Sequence, residues 1–145
     1  MKTVVQNNVT DFYRLRYSED RIRLLDFERS AGQVFDPKQS VITDDGLLLG
    51  VRYKNVTYLT NTEGSVTAFV QEGALWTYTQ NNGKFAQVFD FRKAAKGDFR
   101  DSHTEHDIKL LSVEDDGDVN FMVYGYMNRG NHEGYCGAGI YHYNH

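Results

Sequence analysis

The sequence predicts an all-β protein, an antiparallel meander of about eleven short strands, on three observations. Glycines stand near turn signals at Gly46, Gly64, Gly83, Gly117 and Gly134, spaced by 18, 19, 34 and 17 residues, so one interval is close to twice the others. A turn, a strand, a return turn and a second strand consume about that length. Aromatic residues make up 14% of the chain, with ten Tyr and nine Phe, and suit the pleated, half-buried surface of a sheet. The runs between turns are short and β-rich, and only the "KAAK" of 93–96 suggests a helical turn.

In order, strands are expected at 9–17 and 21–29 around "SED", where Arg21 and Arg23 alternate with Ile22 and Leu24 as on a half-exposed surface. After the segment holding the sole proline, Pro37, a short strand at 40–43 reaches "DDG", a turn compatible with type I′ geometry. Strands at 47–53 and 56–61 flank "KN", strands at 65–71 and 74–80 flank "EG", and "NNG" leads into 84–91. The segment 92–106 is polar and irregular and reads as a long loop. Strands follow at 107–113, 118–127 and 135–143, separated by "EDDG" and by the glycine-rich "NRGNHEG". "GLLLGV", "NFMVYGY" and "AGIYHY" are apolar at successive positions, as expected of interior strands covered on both faces.

Two of the glycine intervals give about four strands in ~36 residues, near the length of a propeller blade. The chain therefore reads as a propeller-blade-like fragment, with a β-sandwich as the alternative, because eleven strands make fewer blades than closed propellers use. One β-rich domain over 1–145, excised from a larger protein, is expected.

With 145 residues and a net charge of −4, the chain can bury a core and offers no continuous basic stripe. Nucleic acid is not an expected partner. No segment approaches the roughly 20 apolar residues that span a bilayer, so the chain itself is expected not to be membrane-inserted. Cys136 is the only cysteine and forms no internal bridge; a small buried hydrophobe is its expected role.

The stretch 73–143, with "GALWTY", "GKFAQVFDF" and above all "HDIKLLSVEDDGDVNFMVYGYMNRGNHEG", resembles a segment of large, uncharacterised, membrane-anchored, propeller-like proteins of Gram-positive bacteria. The resemblance covers about half the chain. It implies an extracytoplasmic protein, anchored through a part absent from this chain, with a binding or scaffolding role; it brings no activity and no site residues.

Candidate chemistry lies in two loops. His103 and His106 flank Glu105, while Arg129, His132 and Glu133 occupy the glycine-rich loop, and these six are the expected binding residues. Together with Cys136 they include the N, O and S donors that Zn²⁺ accepts, but the HxxH pair lies in an irregular loop rather than on one helical face, so solvated or turn-bracing histidines are the favoured reading. No metal and no cofactor is expected. "EDDGDVNFM" fails the calcium-loop pattern, because Val123 stands where a bidentate acid belongs, and a hairpin with a two-residue Asp-Gly turn is the expected reading. "NRGNHEGYCGAG" lacks the spacing of a dinucleotide loop. Asp98, Asp101, Glu105 and Asp107 share one region, as a glycosidase pair would. Trp76, Tyr78, Tyr124, Tyr126, Tyr141 and Tyr143 are expected to pack between sheets rather than form a ligand platform. The expected function is a non-catalytic binding or scaffolding module for a protein or polysaccharide partner; the alternative is a metal- or carboxylate-dependent hydrolase built on the 103–106 and 132–136 loops.

Overall fold

A computed structural model describes residues 4–39, 41–51, 55–90, 100, 103 and 105–145. The expected strand start at Ser40, the end of the expected strand 47–53 at 52–53, Lys54 of the "KN" turn, Phe91, the "KAAK" turn of 93–96, Asp98, Asp101 and most of the 92–106 loop lie outside the described residues. The fold is all-β; among the described residues there are eleven antiparallel strands in several small sheets, and the only helical element is a 3₁₀ turn. Among the described residues no sheet closes into a barrel or a propeller ring. No helix among the described residues is long and apolar enough to cross a membrane.

The chain divides into two units, Met1–Arg52 and Tyr53–His145. In the first, β1 (Asn7–Ser18) and β2 (Arg21–Gln33) form one long hairpin. Its two-residue turn, Glu19 and Asp20, needs no left-handed residue. Strand pairing shifts between Arg14 and Leu15, where Leu25 is the extra residue of a bulge. On one face the Arg29 guanidinium grips Asp11 through two 2.7 Å hydrogen bonds and lies over the Phe27 ring, which in turn meets Tyr13. β3 (Ile42–Thr43) and β4 (Gly46–Leu47) close a minimal hairpin through Asp44 and Asp45.

The second unit holds β5 (Tyr58–Thr60), β6 (Val66–Gln71), β7 (Ala74–Thr79) and β8 (Lys84–Asp90) in a four-stranded meander. A three-stranded sheet follows: β9 (His106–Val113), β10 (Val119–Tyr126) and β11 (Cys136–Tyr143), with β10 central. Alternation decides what each strand buries. Val66 and Ala68 of β6 and Leu75 of β7 form one core with Ile108, Leu110 and Val113 of β9 and Val119, Phe121 and Val123 of β10. Phe89 extends it, edge-on to Phe121 and tilted against Tyr141. A tail contact adds to this joint, where His145 Nε2 lies 2.9 Å from Thr79 Oγ1 and the His145 amide donates to Asp118.

Turn chemistry departs from expectation in two places. Among the described residues only the "EG" turn has both central residues left-handed, Glu72 at φ 47° and Gly73 at φ 73°, as a type I′ turn demands. At "EDDG" the Gly117 amide donates to the Glu114 carbonyl and the Glu114 amide to Asp118, so Asp115, Asp116 and a left-handed Gly117 make a three-residue loop instead of a two-residue Asp-Gly turn. "DDG" likewise places Asp44 and Asp45, outside the left-handed region, in the loop, and Gly46 in the strand.

Two expected interior strands are not interior. In "GLLLGV" the strand ends at Leu47, with one further backbone bond from the Leu48 amide to the Val41 carbonyl, and Leu48 and Val51 are exposed, because among the described residues β4 pairs only with the two-residue β3. "AGIYHY" belongs to β11, an edge strand whose outward residue Ile140 is exposed; one neighbour, β10, covers one edge, and nothing among the described residues covers the outer face.

The Asp11–Arg29 pair gives a prediction. Hydrogen bonds from Arg29, opposed in part by desolvation, hold the Asp11 carboxyl below the ordinary aspartate value. With the folded pKa below the unfolded one, the pair's contribution is complete at neutral pH and is lost as pH falls through the folded value. Carboxyl-carbon NMR titration should show Asp11 titrating below the ordinary range, and Arg29→Leu should return it there.

Candidate functional site

Loop 127–135 is closed at its neck by backbone pairing: the Met127 amide donates to the Tyr135 carbonyl and the Gly134 amide to the Met127 carbonyl, both at 2.9 Å. Inside it, Glu133 donates to Gly130 and Tyr135 to His132, so the chain turns twice within nine residues. Gly130 (φ 84°) and Gly134 (φ 90°) supply the left-handed geometry that these turns require.

A staple joins this loop to the segment before β9. Asn128 is fully buried, and its Nδ2 donates to the carbonyls of Arg100 at 2.9 Å and His103 at 3.2 Å. Arg100 Nη1 also reaches Glu133 Oε2 at 3.1 Å, a half-exposed pair that contributes little by itself. The buried amide is therefore the stronger of these two links. Sequence reading did not single out Asn128; an asparagine beside a glycine-rich loop signals a turn before it signals a staple.

The expected binding residues separate. His103 lies against the ring of Tyr126, with centroids 5.3 Å apart, and alternation puts Tyr126 on the outer face of β10 with Tyr124. His106 shares the inner face of β9 with Ile108 and Leu110; its Nε2 sits 3.8 Å from where a Cβ on Gly73 would stand. The HxxH pair thus straddles the sheet. Glu105 is exposed, and its carbonyl accepts the Tyr126 amide, passing so close to Gly125 that a Cβ there would lie 2.4 Å from the oxygen. Arg129 and His132 share a groove, while Glu133 faces Arg100. Among the described residues no three His, Cys, Asp or Glu side chains gather as metal ligands would.

The groove has a volume of about 480 Å³ and runs along β11, beneath loop 127–135. That size falls within the range of small-ligand sites. Its floor is low because Gly137 and Gly139 occupy inner-face positions of β11, opposite Gly125 and Val123. One wall is Tyr141, stacked on Phe121 at 5.4 Å with its ring over Gly139. The other walls include Arg129, Asn131, His132 and Tyr135. Cys136 is exposed at this groove, contrary to the buried position expected, because β11 is an edge strand and nothing among the described residues covers its outer face. The six aromatics form no single platform: Tyr124 and Tyr126 point outward from β10, whereas Tyr141 and Tyr143 point inward from β11.

Comparison of the chain with family models, with curated proteins and with solved structures gives no match.

Removing the staple tests the construction of the site. Asn128→Ala leaves the Arg100 and His103 carbonyls without this donor and should cost about 2 kcal/mol in denaturant unfolding. Amide exchange should accelerate most in loop 127–135.

Proposed function

We propose that the chain is a non-catalytic binding module of a cell-envelope protein, extracytoplasmic and anchored through a part outside this chain, and that the β11 groove takes a short stretch of polysaccharide. The observation that carries this reading is the lining of the groove. Tyr141 and Tyr135 offer ring faces to the apolar face of a sugar ring, and Arg129, Asn131 and His132 offer polar groups to its hydroxyls. The residues lining the groove include no aspartate or glutamate, whereas glycoside hydrolysis requires two placed carboxyls. Binding without turnover is the chemistry that such a lining supports.

The metal-dependent alternative draws no comparable support, since His103 and His106 lie on opposite faces of one sheet. The propeller-blade reading rests on the four-stranded meander β5–β8 packed through a shared core on β9–β11, an arrangement equally suited to a small sandwich.

The test uses the one groove position that accepts a side chain without strain. A Cβ on Gly137 meets nothing within 4 Å, so Gly137→Val fills the groove floor and leaves the strand intact. Titration with a panel of neutral, acidic and amino-sugar oligosaccharides should shift amide resonances at 127–141 in the parent chain, and Gly137→Val should weaken binding about tenfold or more. Shifts confined to other strands, or equal affinity in the variant, would contradict the reading.

A further inference from the structure

The β1–β2 hairpin has two chemically different faces. Strand register places Val9, Tyr13, Leu15 and Tyr17 on the same side as Ile22, Leu24 and Phe27. All seven are exposed, from 44% for Phe27 to 77% for Tyr17. With Tyr13, Tyr17 and Phe27 each presenting roughly half or more of the ~150–250 Å² that an aromatic residue can bury, the seven side chains amount to several hundred Å², a sizeable part of the ~800 Å² that each partner contributes to a standard interface. Soluble monomers rarely leave so large a contiguous apolar area in water. A two-stranded hairpin without a covered face is also marginally stable by itself.

Charge identifies what covers it. The apolar face carries one acid and one base, Asp11 and Arg29, already locked together by two hydrogen bonds. An identical face laid upon it meets no unpaired charge. The reverse face carries one exposed aromatic, Phe12, among Arg14, Arg16, Arg21 and Arg23 against Asp26 and Glu28, with Arg16 directly opposite Arg23; four bases to two acids leave it net positive, and two such faces would repel. We propose that the apolar face of the β1–β2 hairpin is a homodimer interface whose occupant is the same face of a second copy of this chain. Stacked about 10 Å apart, as packed sheets are, the two hairpins form a four-stranded, two-layer sandwich with the arginine faces outward. The isologous geometry closes the assembly at two copies.

Sedimentation velocity on the full chain from about 1 to 100 µM should show a reversible monomer–dimer equilibrium. Leu15→Thr with Leu24→Thr, which keeps β-formers in place, should raise the dissociation constant at least about tenfold. Arg16→Thr with Arg23→Thr on the reverse face should leave it unweakened. On the unmodified chain, isotope-filtered NMR of mixed labelled copies should give intermolecular contacts from the Leu15, Ile22 and Leu24 methyl groups, a readout that does not depend on the folding of any variant. A chain that stays monomeric at the highest concentration would overturn the proposal. Intermolecular contacts arising only from the second unit, or a monomer that instead floats with phosphatidylglycerol-containing vesicles, would also overturn it.

Discussion

Burial between the two sheets of the second unit is the constraint on which the site depends. Neither a four-stranded nor a three-stranded sheet can cover its own apolar face. Leu75, Val119 and Val123 are fully buried at the meeting of the two, with Phe121 carrying the contact outward to Phe89 and Tyr141. Each such side chain contributes roughly 1.5–3 kcal/mol when removed from water. Polar braces at the periphery are weaker and depend on this core for their geometry. The buried Asn128 amide can select its two carbonyls only because β9 and β10 already hold the surrounding backbone in register.

The groove follows from the same packing. Along β10 the inner positions carry Val119, Phe121 and Val123, but across on β11 the corresponding positions are Tyr143, Tyr141, Gly139 and then Gly137. Side-chain volume falls away toward the start of β11, and loop 127–135 closes over the resulting space without filling it. A pair of glycines on an edge strand, beside an aromatic wall, thus turns the end of a core into a concave surface.

Most strands were legible because turn residues and alternation act locally. The hairpin at Glu72–Gly73 and the strands of 66–71, 74–79 and 119–126 follow from those signals directly. What escaped was non-local. "GLLLGV" is apolar enough for an interior strand, yet among the described residues the strand paired with it is the two-residue β3, and local composition carries no information about partners. Loop length at "EDDG" depends on which residues pair across the hairpin, a matter of register rather than of the Asp-Gly dipeptide. Within the site, Arg129 and His132 do share a groove, but the spacing of His103 and His106 could not reveal that a strand begins between them and sends the two rings to opposite faces. Tyr141 was visible as an aromatic at period two; its role as a wall needed the glycines across the strand as well.

Cooperativity between the two sheets is the most direct test of this account. Native-state hydrogen exchange should give the central amides of β6 and β10 the same opening free energy and the same denaturant dependence, because one core unfolds as one unit. If β9–β11 opened separately, at markedly lower free energy than β6 and β7, the shared core would not be what holds the groove in shape.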